Sequence, residues 1–143
     1  MNFIVLLGRI LFSAIFILSS FKHFSTDYID YASAEGVPFP DLLVPLSGVL
    51  ALLGGLSILF GLKARWGAWL IVIFLVPVTF MMHRFWTYEN PVAATLQQIM
   101  FMKNLSMLGG ALLIAYFGAG PWSVDAARPI IDEKKHPVDT PKV

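Results

Sequence analysis

Four apolar runs, each long enough to cross a lipid bilayer, take up most of this sequence. A spanning helix needs about 20 apolar residues. Runs of this length lie at about 3–21, 42–62, 66–85 and 98–118. They predict an all-α fold, a polytopic membrane protein whose four transmembrane helices form an antiparallel bundle within residues 1–125. Residues 126–143 are polar, and we expect them to form a flexible cytoplasmic tail.

The composition excludes several classes of protein. Only 13% of the 143 residues are charged, against about 25% in a soluble domain, so the expected surroundings are the lipid bilayer. The net charge of +1 and the lack of a basic tract exclude nucleic acid as an expected partner. The absence of cysteine removes thiol catalysis and thiolate metal sites. Because Arg9 interrupts the first run and no A-x-A site follows it, we expect a retained helix rather than a cleaved signal.

Lysine and arginine are distributed unevenly between the two ends of the predicted bundle. The link between the second and third runs and the tail together carry Lys63, Arg65, Arg128, Lys134, Lys135 and Lys142. The other two connections carry only Lys22 and Arg84. Cytoplasmic loops are enriched in these residues, so both termini are predicted to be cytoplasmic.

Lys103 and Asn104 are the most informative polar residues because they lie side by side inside the fourth run. An ionisable residue within a membrane span is costly and is therefore a functional hypothesis. No Asp or Glu lies inside any of the four runs. Either a loop carboxylate or a ligand must therefore meet Lys103. With the fourth helix starting near residue 98, the pair is predicted one to two turns below the outer surface.

The first and third runs also end in polar clusters at the same predicted depth. The polar residues expected to share this outer third are Lys22, His23, His83, Arg84, Lys103 and Asn104. The aromatic residues Phe85 and Trp86 follow directly in sequence. In one interpretation Lys103 pairs with a loop carboxylate or snorkels, and the histidines are interface residues. In the other, which we favour, the cluster lines a pocket for an anionic or carbonyl-bearing ligand.

A quinone headgroup fits such a pocket. Its two oxygens accept hydrogen bonds, its tail is soluble in lipid, and its reduction needs a proton donor such as His83. Two histidines, His23 and His83, could instead ligate a haem, which we consider the weaker alternative. They are too few for a typical zinc site, and no metal site is predicted.

A second set of polar residues, Arg9, Ser13 and Ser20, lies on one face of the first run, and together with His23 it falls within a sector of roughly 80°. The two serines are expected to bond to carbonyls one turn back. For Arg9 two interpretations stay open, snorkelling to the interface and a functional role. In the second run, small residues at positions 47, 51 and 55 predict close helix packing.

Five sequence motifs in this chain resemble those of the DoxX family, over about residues 4–128. They are GRILFSAIFILSSFKHF, GVPFP, LLGGLSILFGLKARWGAWL, MMHRFW and FMKNLSMLGGALLIAYFGAGP. The resemblance implies a small four-helix protein of the bacterial inner membrane. Some members are similar to a subunit of thiosulfate:quinone oxidoreductase, and others are linked to oxidative stress. The family-pattern residues it implies here are His83, Phe85, Trp86, Lys103 and Asn104.

The sequence and the resemblance together predict an accessory or quinone-interacting subunit of a redox system, with a redox protein as partner. No autonomous catalytic motif is present, so an enzyme acting alone is not expected. The alternative is a non-enzymatic scaffold or small-molecule carrier, in which Lys103 and Asn104 join helices; self-association is left open. Many family members carry a glutamate where this chain has Ala51, so any role of that carboxylate does not transfer.

Overall fold

The computed structural model describes residues 1–127, and every regular element among them is helical. The long helices are α1 (Asn2–Ser20), α3 (Pro40–Phe60), α4 (Ala64–Met82) and α5 (Pro91–Phe117), and a short helix, α2 (Thr26–Ala34), lies between the first two. Four helices are long and apolar enough to cross a membrane, which confirms the predicted fold class. Of the predicted tail, residues 128–143 lie outside the described part.

The helix that contains the predicted fourth span is longer than that span. Helix α5 begins at Pro91, well before residue 98. Asn90 caps it, because its side-chain oxygen accepts hydrogen bonds from the backbone N–H groups of Val92 (2.9 Å) and Ala93 (3.1 Å). Proline then occupies the first helical position, where no N–H is needed. The Asn90 cap and Pro91 therefore set the start of the helix, although its first two turns are too polar to belong to the apolar run.

Helix α2 was not predicted, because its nine residues mix polar and apolar types and are too few to form a membrane-length run. Its Ala32 is buried, with Val44 of α3 in the same small cluster. We call this end of the bundle the α2 end. The opposite end, which carries the start of α1 and the segment after α5, is the terminal end.

The long helices pack in chain order, α1 on α3, α3 on α4 and α4 on α5, and α1 forms no comparable interface with α5. Glycines let α1 and α3 approach closely. A Cβ added to Gly48 would lie 2.7 Å from His23 Cβ, and one added to Gly55 would lie 2.8 Å from Ile17 Cγ1. The buried small-residue stripe on α3 therefore includes Gly48, whereas the predicted Ser47 is only half-buried.

The main hydrophobic core lies where all four long helices meet. The rings of Phe16 and Phe74 meet edge to face at 6.3 Å, and Ile71 and Leu75 fill the space beside them. Ala51 belongs to this core and is fully buried. A carboxylate at position 51 would therefore be placed in an apolar core, which agrees with the alanine found here.

Candidate ligand-binding cavity

A cavity of about 320 Å³ lies in the half of the bundle nearest the α2 end. Residues from all five helices line it, and most are apolar. Its polar lining residues are Ser19, His23, Tyr28, Tyr31, Ser47, His83, Lys103 and Asn104. Four members of the predicted outer cluster thus reach one cavity, whereas Lys22 and Arg84 do not.

Helix α2 and the residues after it form a roof over the cavity. Tyr28, Tyr31, Ala32 and Val37 all line it from this side. Burial raises the pKa of the Tyr28 hydroxyl, so this side chain is neutral under ordinary conditions. The roof separates the cavity from the solvent at the α2 end.

His23 follows α1 in a tight helical turn (Phe21–Phe24) and is buried. Its Nδ1 lies 3.0 Å from the carbonyl oxygen of Ser19. A carbonyl can only accept, so Nδ1 is the donor and Nε2 of the neutral ring is left as an acceptor. The ring packs against Tyr28 at 4.9 Å and Phe74 at 5.6 Å between centroids. Its orientation is therefore fixed by packing as well as by the hydrogen bond.

His83 ends α4, and Gln97 of α5 holds it in place. His83 Nδ1 lies 2.8 Å from Gln97 Oε1. The Gln97 amide nitrogen donates to the hydroxyl of Tyr31 at 3.2 Å and lies 3.5 Å from that of Tyr88. With the amide oriented this way, Nδ1 of His83 donates and Nε2 is available to the cavity. Sequence reasoning missed Gln97, and the signal that could have found it is its place seven residues before Asn104, on the same face of α5.

Arg84 was predicted to join the cluster, but the structure turns it away from the cavity. Its guanidinium donates to the backbone oxygen of Glu35 at 2.5 Å and lies 3.8 Å from the Glu35 carboxylate. Tyr88 donates to the other carboxylate oxygen at 2.6 Å. This hydrogen bond to Glu35 raises the pKa of Tyr88, and burial adds to the shift. Arg84 and Tyr88 therefore fasten the roof to the far side of the bundle.

Phe85 and Trp86 also lie outside the cavity. They form an aromatic cluster with Phe101 of α5, with ring centroids 5.5 Å (Phe85) and 6.0 Å (Trp86) from that of Phe101. Phe80 of α4 completes it at 5.4 Å from Phe101. Edge-to-face contacts of this kind stabilise helix packing, so the cluster joins the end of α4 to α5.

Asn104 and Lys103 lie beside each other on α5 but differ in burial. Asn104 is 4% exposed and lines the cavity, and its amide has no hydrogen-bond partner among residues 1–127. Lys103 is exposed at the cavity edge, where its Nζ lies 3.3 Å from Met100 Sδ. In the described part of the chain, the one ion pair joins Arg84 and Glu35. No described carboxylate therefore meets Lys103.

The polar stripe of α1 faces α3 instead of the cavity. Ser13 donates to the carbonyl of Arg9 at 2.6 Å, and Ser20 to that of Ile17 at 2.7 Å. Both serines thus bond to the previous turn, as their type and position predict. The two serines of the stripe therefore have their bonds inside α1 and do not line the cavity.

Arg9 neither snorkels to solvent nor reaches the cavity. It is 4% exposed, and its guanidinium donates to the backbone oxygens of Ala119 at 2.9 Å and Trp122 at 2.5 Å. It thereby fastens the segment after α5 to the start of α1. This contact spans more than a hundred residues of sequence, so no local pattern could predict it.

Comparison with known proteins places the chain in a family. The DoxX family model matches residues 4–84. Inner membrane protein YqjF of Escherichia coli K12 is 36% identical over 124 residues, covering 85% of this chain and 88% of YqjF. Inner membrane protein YphA of the same organism is 28% identical over the same shares of both chains.

A third relative matches a shorter part of the chain. The ER-derived vesicles protein ERV29 of Saccharomyces cerevisiae is 30% identical over 82 residues, which cover 57% of this chain and 26% of ERV29. No solved structure matches. Two similar inner membrane proteins and four apolar helices support a location in the bacterial inner membrane. The chain belongs to the DoxX family.

Proposed function

We propose that this protein binds a lipid-soluble molecule with a polar head in the α2-end cavity. Within the cell, it would act as an accessory or quinone-interacting subunit of a redox system. The observation that carries the proposal is Asn104, a residue whose amide lines the cavity without a hydrogen-bond partner among residues 1–127. Among the described residues, the buried side-chain atoms that lack a partner are Arg9 Nε and Arg84 Nε, so the Asn104 amide is open to the cavity. An apolar occupant would cover it unpaired at a cost of about 1–3 kcal/mol, whereas a ligand that bonds to it avoids this cost.

The apolar walls select the body of the ligand. Ile73 of α4 and Ile15 of α1 line the cavity and are also exposed on the outside of the bundle, at 56% and 38%. Their positions, and the weak contact between α1 and α5, support entry from the bilayer. The roof blocks the α2 end. The proposed ligand is therefore dissolved in the membrane before it binds.

The polar lining selects the head of the ligand. Lys103 can only donate hydrogen bonds, and Asn104 can both donate and accept. Together they suit a carbonyl oxygen. His83 Nε2 accepts from a hydroxyl when the ring is neutral and donates when it is protonated. A quinone and its quinol present both kinds of group, which supports this ligand class over a simple lipid.

The test is a titration of the purified protein in mild detergent with ubiquinone-1, followed by tryptophan fluorescence and calorimetry. We expect saturable binding to the wild type. In Asn104→Leu we expect about a tenfold weaker affinity, equivalent to the loss of one hydrogen bond. The control is Ser106→Ala, because Ser106 is exposed on the same helix and bonds only to the carbonyl of Met102. Equal affinity of all three proteins for ubiquinone-1 would show that the quinone does not bind to Asn104.

The proposed orientation has both termini in the cytoplasm. It is supported by Lys63 and Arg65, which lie in the described link at the terminal end. The chain contains no cysteine, so single cysteines can be labelled without background. Ser25→Cys at the α2 end should react with a membrane-impermeant thiol reagent in intact cells, and Ser123→Cys should not. The reverse pattern would invert the topology.

A scaffold role is the second candidate, favoured by the uncovered face of α5. Large apolar residues on this face are exposed, namely Met102, Leu105, Leu112, Leu113 and Tyr116. Lipid, a redox protein or a second copy of the chain could cover them. A photo-reactive residue at position 113 should form a protein adduct in membranes if a partner packs here. Cross-links to lipid alone would argue against the scaffold role.

A further inference from the structure

A second cavity, of about 490 Å³, lies at the terminal end between the α3–α4 link and the segment after α5. Its lining includes Lys63, Arg65, Trp66, Phe117 and Ser123. None of these residues lines the α2-end cavity. The inference drawn from it is therefore independent of the proposed function.

Asp125 builds this cavity by folding the chain back. Its two carboxylate oxygens accept hydrogen bonds from the backbone N–H groups of Lys63 (2.8 Å) and Ala64 (3.0 Å). Its own N–H donates to the carbonyl of Gly61 at 2.8 Å. These contacts hold the start of α4 beside the end of α5. The cavity is thus a defined part of the fold.

Positive charge exceeds negative charge around this cavity. Arg65 lies beside the end of α5, where a Cβ added to Gly118 would be 3.4 Å from its Nε. Lys63 and Arg65 line the cavity, and both are exposed. Arg9 adds a third positive charge nearby, because its guanidinium donates to the backbone oxygens of Ala119 and Trp122 in the same segment. The only described carboxylate here is that of Asp125, and its oxygens already accept two backbone N–H groups.

Exposed aromatic rings place the cavity at the level of lipid headgroups. Trp66 is 73% exposed, Phe117 71% and Trp122 60%. Tryptophan is enriched at membrane–water interfaces, where its ring is half in the apolar layer. Cations next to such a belt meet the phosphates of the same leaflet.

We infer that the terminal-end cavity binds the phosphate of an anionic phospholipid. The planar guanidinium of Arg65 suits two phosphate oxygens at once, and Lys63 adds a point charge. The acyl chains of the lipid lie along Trp66 and Phe117. A zwitterionic headgroup carries its own cation, so the excess positive charge of the site selects against it.

The test compares lipids added to delipidated, detergent-purified full-length protein. Native mass spectrometry counts bound phosphatidylglycerol and phosphatidylcholine, and the thermal unfolding midpoint is recorded with each. We expect selective retention of phosphatidylglycerol and a higher midpoint with it. Arg65→Gln should retain it about fivefold less well. The control is Lys22→Gln, because Lys22 is an exposed cation at the α2 end, and it should behave like the wild type.

Three results would overturn the inference. They are equal retention of the two lipids, unchanged retention in Arg65→Gln, and equal stabilisation by inorganic phosphate alone, which would indicate a free-anion site. If Arg65→Gln fails to fold, Lys63→Gln takes its place with the same expected direction. Arg65→Lys should lie between the wild type and Arg65→Gln, because it keeps the charge and loses the fork geometry.

Discussion

Arg9 of α1 and Lys103 of α5 are cations of spanning helices at opposite ends of the bundle, and the protein treats the two differently. At the terminal end, Arg9 is buried and donates to two backbone carbonyls. At the α2 end, Lys103 is exposed and contacts a methionine sulfur, while its neighbour Asn104 is buried without a partner in the described chain. One cation is held by the fold through two of its nitrogens, although its Nε has no partner in the described chain, and the other is left available.

This difference distinguishes polar groups that stabilise the fold from polar groups that are available to a ligand. A paired polar group inside a membrane protein stabilises the fold, and its removal leaves its partners unsatisfied. A polar group that is unpaired and faces an open cavity has no such role, so a ligand is its expected partner. The terminal end therefore fastens the bundle, and the α2 end provides the proposed site.

The largest effect is expected at Arg9. In Arg9→Met the carbonyls of Ala119 and Trp122 lose their donor, and we expect the free energy of unfolding to fall by about 3 kcal/mol. Thermal unfolding in mild detergent, followed by circular dichroism, measures this. Lys22→Met removes an exposed cation at the other end and should leave the midpoint unchanged. An Arg9→Met protein as stable as the wild type would show that Arg9 does not stabilise the fold.

Gly48 connects the fold to the site. Leucine at this position has no room against His23 and Ser20, so the approach of α1 to α3 must open. We expect a loss of stability of about 2 kcal/mol together with weaker ubiquinone-1 binding, because His23 moves. The matched control is Gly109→Leu, because a Cβ on Gly109 meets nothing within 4 Å. Similar losses in both variants would mean that leucine acts through the helix backbone instead.

The spans could be predicted from apolar runs because helices in lipid must satisfy their own backbone. Helical periodicity and depth also sufficed to bring His23, His83, Lys103 and Asn104 to one place, although their role stays a prediction. Contacts between distant segments could not be predicted. The bond from Arg9 to Ala119 and the rotation of Arg84 towards Glu35 depend on how loops close, which no local pattern encodes.

Gln97 tests whether His83 needs its orientation. Gln97→Leu removes the acceptor for His83 Nδ1, so the ring can turn its Nε2 away from the cavity. We expect about a tenfold loss of ubiquinone-1 affinity, the value of one hydrogen bond, with little change in the unfolding midpoint. Gln98→Leu is the control, since Gln98 is the exposed neighbour. Equal affinity of the two variants would show that His83 does not bind the ligand.

The smallest effect concerns the roof. The hydrogen bond to Glu35 raises the pKa of Tyr88, so its stabilising contribution is complete below the unfolded pKa of about 10 and is lost as the pH rises through the folded value. In Glu35→Gln, the absorbance of tyrosinate should appear at a lower pH than in the wild type. Tyr88→Phe should remove that part of the titration. Identical curves for Glu35→Gln and the wild type would show that the roof is not fastened here.

Lys103 offers the sharpest contrast with Arg9. Among residues 1–127, its only polar side-chain contact is with the Met100 sulfur, so Lys103→Met should unfold at the wild-type temperature. The same substitution removes the donor at the edge of the cavity. A stability effect and a binding effect are therefore separated in one variant.

The central claim is tested most directly by mass spectrometry of small molecules that co-purify with the protein in mild detergent. The wild type should carry a lipid-soluble molecule with a carbonyl or quinone head, and Lys103→Met, folded and equally stable, should have lost it. Identical small-molecule contents in the two preparations would contradict the assignment of the α2-end cavity as a ligand site.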